Sequence, residues 1–209
     1  MIGIWNYTVI LTYVSLISSF GGMIFAIKGQ IMGALLCLAF SGLCDAFDGR
    51  VARSKKNRSE SEKVFGVQLD SLCDVICFGF LPIVICYQLG VTGKIGVILM
   101  AFYAVASAAR LAYYNTLEYT RDENAPEAER CYRGLPITSI SIIFPVLYFA
   151  GFWVPEDFKP LVWELMLLIT GGLFLVNIRI AKPKTRHILI LTIVVASLFI
   201  TMPFIKMTA

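Results

Sequence analysis

Four aspartates carry the chemistry that this sequence offers. Asp45 and Asp48 stand three residues apart and Asp70 and Asp74 four apart, so on helices each pair projects from a single face. Two such faces brought together would form an acidic cup between strongly apolar segments. Carboxylates at the end of a hydrophobic helix are costly unless they are paired or bound to a cation, and a cluster of four points to a divalent metal. Every donor would be a hard oxygen, with no His or Cys at metal-ligand spacing, which favours Mg2+, Mn2+ or Ca2+ over zinc. Gly49 and Gly66 lack side chains, so two helices, or a helix and a bulky ligand, are expected to approach closely around the cup. Lys55, Lys56, Arg58 and Lys63 read as a solvated basic loop between the pairs. Such a loop can also attract anionic headgroups, each charge contributing about 1 kcal/mol.

The elements that must position these residues follow from composition. Of 209 residues, 58% are hydrophobic and 15% charged, and the mean hydropathy is +0.77. Those values exclude an ordinary soluble domain and give no basis for nucleic-acid binding. The expected fold is an all-α integral membrane protein: one transmembrane domain over residues 1–209, a polytopic bundle of about six to eight helices. Apolar runs place spans at about Tyr7–Ile27, Ile31–Phe47, Val67–Leu89, Ile95–Tyr114, Ile137–Trp153, Leu161–Ile180 and His187–Phe204. Pro145 should kink the fifth. The runs are too long and lack the alternation of membrane β-strands, and no repeat points to a solenoid.

Thirteen Lys and Arg residues fall in the connections on one side and four (Lys28, Lys94, Lys159, Lys206) on the other, with Arg110 left inside a span. The positive-inside rule then puts the acidic cup at the cytoplasmic face of the cell membrane. The six cysteines show no paired spacing and read as reduced, small apolar packers. Cys73 and Cys77, beside Asp74, are expected to be inert because neighbouring carboxylates disfavour a thiolate. The N-terminus lacks a basic region before its apolar run, so no cleavable leader is expected.

The run D45xxD48G49xxA52R53, followed by G66xxxD70xxxD74, resembles the signature of the CDP-alcohol phosphatidyltransferases at eight positions in order. It departs from the common pattern in spacing, because the twelve residues between Arg53 and Gly66 are more than the family usually has. The resemblance implies a membrane domain of helices that forms a homodimer. It also implies metal-dependent transfer of a phosphatidyl group from CDP-diacylglycerol to an alcohol, with release of CMP. Carried over residue by residue, Asp45, Asp48, Asp70 and Asp74 would hold the metal, Mg2+ or Mn2+, with Ca2+ also open. Asp74 would act in addition as general base. Gly49, Ala52, Arg53 and Gly66 would receive CDP-diacylglycerol, Arg53 through its fork of donors.

The flanking run Phe65–Pro82, the stretch Ala109–Asn115 and the stretch Tyr132–Thr138 are similar to family members that use L-serine. A serine acceptor brings a carboxylate, so a basic group should lie within reach. Arg110 is the first candidate, since an arginine within an apolar span is expensive; a structural ion pair with one of the aspartates is an equal reading. Arg133 is the second. Ser71, Asn115 and Thr138 could meet the amine or hydroxyl, although each alone is more often a contact between helices. His187 reads as interfacial. Two alternatives stand beside this reading: another acceptor, such as glycerol 3-phosphate or inositol phosphate, and a divalent-cation transporter lined by the same aspartates.

Overall fold

The computed structural model describes residues 3–119, 132–177, 179–180, 197 and 199. Its main helices are α1 (Ile10–Ile27), α2 (Ile31–Ser54), α3 (Glu60–Asp74), α4 (Leu81–Gln88), α5 (Lys94–Tyr119), α6 (Ile140–Ala150) and α7 (Lys159–Leu175). Between α3 and α4 the chain does not break but runs through a π-helical segment, Val75–Phe80. Five stretches are long and apolar enough to cross a membrane: Tyr7–Ile27, Ile31–Ser54, Glu60–Gln88, Lys94–Leu117 and Glu156–Leu175. The apolar stretch Ile137–Trp153 is shorter. Strand structure among the described residues is one antiparallel pairing of β1 (Tyr132–Arg133) with β2 (Arg179–Ile180).

Local chemistry sets the helix ends. Asn6 caps the first turn by accepting from the Thr8 amide at 3.0 Å. Gly29, at φ 74, closes α1 with its amide bonded to the Ala26 carbonyl at 2.8 Å, so α2 can turn back antiparallel after a connection of three residues. Ser59 and Glu62 form a capping box at the start of α3, which satisfies two amide donors reciprocally.

The core lies where the helices meet. Phe78, Leu81 and Ile85 of the long third span pack with Leu35 and Leu38 of α2, Tyr103 of α5, and Phe144 and Trp163 of α6 and α7. Tyr103 donates its hydroxyl to the Phe78 carbonyl at 2.9 Å in a buried position, which supplies a donor to a π-segment carbonyl whose i+4 residue, Pro82, has no amide hydrogen. Helices α2 and α6 come close at Gly42, where an added Cβ would lie 2.6 Å from Ser141 Cβ.

The observed elements revise several expected boundaries. Helix α2 continues beyond Phe47 to Ser54, so Gly49, Ala52 and Arg53 sit on the same helix as Asp45 and Asp48. The third span starts at Glu60, one full turn and more before the hydropathy rise at Val67. Helix α5 extends past Tyr114 to Tyr119. The fifth span is an 11-residue α-helix containing Pro145 and flanked by 3-10 turns. Helix α7 ends at Leu175 instead of Ile180, because Val176 turns extended (φ −76, ψ 132) and Arg179–Ile180 enter the strand pairing. The expected seventh span, His187 included, lies outside the described residues apart from Ser197 and Phe199. So do Cys131 and most of the loop before Arg133.

Candidate active site

The C-terminal half of α2 and the length of α3 bring the aspartates together. Carboxylate oxygens of Asp45, Asp70 and Asp74 all lie within 4.8 Å of one another. The Asp48 carboxyl is within hydrogen-bonding reach of Asp70. Asp74 is the most enclosed, at 8% exposure, and the other three are half-buried. Carboxylates this close repel unless a proton or a cation stands between them. The donor set is entirely hard oxygen, and oxygens on opposite sides of a bound ion are about 4 Å apart for Mg2+ and about 5 Å for Ca2+. The residues present therefore fit a divalent cation.

A polar network that the sequence reading did not single out lies one turn deeper. The Ser19 and Ser41 hydroxyls are 2.8 Å apart. Ser41 donates to the Ser15 carbonyl at 3.0 Å, and the Ser15 hydroxyl reaches the Cys77 sulfur at 3.5 Å. Ser41 precedes Asp45 by four residues and Cys77 follows Asp74 by three, so these contacts tie α1, α2 and the π-segment together directly beneath the carboxylates. The spacing of Ser15 and Ser19, small polar residues four apart in an apolar run, was the available signal. Cys73 and Cys77 are free and buried, in keeping with a packing role.

Of the two expectations for the glycines at the site, approach of another helix or of a bulky ligand, the first is not what the structure shows. At Gly49 the nearest atom to an added Cβ would be Arg53 Nη1 of the same helix, at 3.4 Å. At Gly66 it would be Arg58 Nη2, at 2.7 Å. Each glycine therefore receives a guanidinium, and the close helix contacts occur elsewhere, as at Gly42. The basic loop is likewise not uniform. Lys55 pairs with Glu62 at 2.5 Å, Lys63 pairs with Glu60 at 3.4 Å, and Asn6 also donates to Glu62, at 3.1 Å.

The candidates for an acceptor pocket fall in two places. Ser71 donates to Asn115 Oδ1 at 2.9 Å, joining α3 to α5. Arg110, only 6% exposed, holds its guanidinium 4.6 Å from the centre of the Tyr114 ring. It lines a cleft of about 340 Å3 with Tyr113 and with Phe174–Asn177 at the end of α7, and none of the four aspartates lines that cleft. The backbone of Arg133 reaches the same end of α7: Gly134, at φ 77, lies against the carbonyls of Leu173, Phe174 and Val176. The Leu135 amide donates to the Leu173 carbonyl at 3.1 Å. The Arg133 side chain lies outside the described part of the structure.

A helical membrane bundle with a carboxylate cluster shared by two of its helices is the class that the fold and site define. The sequence matches the model of the CDP-alcohol phosphatidyltransferase family over residues 5–176, and the chain belongs to that family. Among curated proteins it is 33% identical over 110 residues to the CDP-diacylglycerol–serine O-phosphatidyltransferase of Saccharomyces cerevisiae, covering 51% of this chain and 38% of that one. The enzyme of the same name from Helicobacter pylori is 27% identical over 186 residues, 87% of this chain and 74% of the relative. An archaetidylserine synthase from Methanothermobacter thermautotrophicus is 28% identical over 137 residues, 65% of this chain and 54% of the relative. The chain thus spans well under half of the yeast protein and about half of the archaeal one. No solved structure matches this one.

Proposed function

We propose that this protein transfers the phosphatidyl group of CDP-diacylglycerol to the hydroxyl of L-serine, giving phosphatidylserine and CMP. The observation that carries the reading is the clustering of Asp45, Asp70 and Asp74, with Asp48 beside them, at the positions of the family signature. The names of the relatives support serine as acceptor. The aspartates would hold Mg2+ or Mn2+, whose charge would offset that of the donor diphosphate. Asp74, the most enclosed carboxylate, takes the proton of the serine hydroxyl as its oxygen bonds to the lipid-bearing phosphorus and the bond to CMP breaks. Arg53 receives the nucleotide side of the donor together with Gly49, Ala52 and Gly66, whose small size keeps the helix faces open to it and to the guanidinium groups that lie over the glycines. Arg110 offers a guanidinium to the serine carboxylate, with Arg133, Ser71 and Asn115 as further contacts.

The distribution of Lys and Arg supports a site at the cytoplasmic face of the cell membrane. The proposed working unit is a homodimer of a single catalytic domain. Purified full-length protein in liposomes, offered one acceptor at a time, tests the substrate. CMP release with L-serine and not with glycerol 3-phosphate or inositol phosphate is expected. Release with a phosphorylated acceptor but not with serine would overturn the choice of acceptor.

A further inference from the structure

Between Arg53 and Gly66 the chain leaves α2 at Ser54 and enters α3 at Glu60. Ser59 begins α3 with its capping box, and Arg58, the residue before it, folds back along the helix. Arg58 Nη2 donates to the Glu62 carbonyl at 3.1 Å, and the same nitrogen would lie only 2.7 Å from a Cβ added at residue 66. The other cations of this loop that make ion pairs have taken both nearby carboxylates: Lys55 holds Glu62 and Lys63 holds Glu60. Among the described residues Arg58 has no carboxylate partner, and its buried Nε makes no hydrogen bond. A half-buried guanidinium whose Nε is left without an acceptor is costly unless an anion completes it.

Position says which anion. Gly66, Asp70 and Asp74 are spaced by four, so they line one face of α3, and Gly66 stands about 6 Å outward from Asp70 along the axis. Arg58 therefore caps the outer rim of the carboxylate cluster, on the strip that leads into it. We propose that Arg58 is a binding residue for a phosphate oxygen of the nucleotide-bearing donor, and that Gly66 is small so that this guanidinium can lie across it. The inference rests on the phosphatidyl-transfer reading and adds a residue outside the family signature. A forked donor suits a diphosphate oxygen, and the rim position suits the nucleotide end of the donor better than a small acceptor deep in the site.

The test uses the full-length protein in mixed micelles, with Arg58→Ala, Arg58→Lys, Gly66→Ala and the Arg58→Ala/Gly66→Ala pair. Loss of a charge-assisted hydrogen bond should raise KM for CDP-diacylglycerol roughly tenfold in Arg58→Ala, with KM for serine and the melting temperature unchanged and partial recovery in Arg58→Lys. Gly66→Ala should cost a similar factor alone and little more in the Arg58→Ala background, since both act through one contact. CMP affinity, measured by calorimetry without turnover, should not fall if only the lipid-side phosphate is held, and should fall with KM if the CMP phosphate is held; either pattern, with the KM rise, supports the proposal. An unchanged KM for CDP-diacylglycerol, a rise confined to serine, or a lowered melting temperature with intact kinetics would overturn it. If no acceptor supports turnover, the transfer reading falls by itself. Binding of CDP-diacylglycerol to wild type and Arg58→Ala then decides the inference, equal affinities refuting it.

Discussion

At the residue scale, the account depends on four carboxylates held too close to be indifferent to cations. A cation held by the folded cluster and not by the unfolded chain stabilises the fold, so on the proposed reading Mg2+ should raise the melting temperature of the wild type, the gain in stability being about 2.7 kcal/mol at a hundred times its dissociation constant. Asp45→Asn removes a ligand and also a repulsive charge. In EDTA this variant should therefore melt at or above the wild type, and with Mg2+ its gain should be much smaller. Equal Mg2+ shifts in the two proteins would place the cation elsewhere. The aspartates were legible because spacings of three and four fix a helical face whatever the fold around it. The role of Gly66 was not, because a missing side chain does not say what fills its space. Only the path of the loop brings Arg58 there. The Ser71–Asn115 hydrogen bond joins two helices, the contact that such residues singly most often make, and it holds both side chains in place for the proposed contact with serine.

At the element scale, helix contacts carry the positioning. Gly42 lets α2 meet α6, and Ser141 has little freedom to yield because its hydroxyl donates to the Thr138 carbonyl at 2.7 Å. Gly42→Ala should then destabilise the protein by about 1–3 kcal/mol through overpacking. Ser141→Gly in the same chain should recover most of that loss, as read by thermal unfolding in detergent. Failure of the second substitution to help would show that the strain lies elsewhere. Helix existence was readable from the apolar runs, but helix ends were less so. Hydropathy falls at Asp45–Arg53, yet the run holds no proline and only one glycine, Gly49, too little to stop a helix, and α2 carries on to Ser54. The opposite happens at α7, where an apolar run continues past Leu175 but the backbone turns extended at Val176. A π-segment at Val75–Phe80 has no periodic signature in so uniformly apolar a stretch; tertiary contacts such as that of Tyr103 accompany it.

At the scale of the whole molecule, composition alone set the class, since 58% hydrophobic residues leave a helical membrane bundle as the economical fold. The five long apolar stretches and the shorter Ile137–Trp153 agree with that expectation. Less of the acceptor side was legible. Arg110 stood out as a charge within a span, but its place beside Tyr114 and the end of α7 depends on contacts between segments sixty residues apart. The central claim is that the carboxylate cluster performs serine-dependent transfer. CMP release from CDP-diacylglycerol, with and without L-serine, in Mg2+ and in Mn2+, tests it most directly when the wild type is set beside Asp74→Asn. The account predicts release by the wild type only with serine and a loss of about 100-fold or more in the variant, the scale of a missing general base. Equal turnover by the two proteins, or divalent-cation flux into liposomes with no CMP formed, would contradict it.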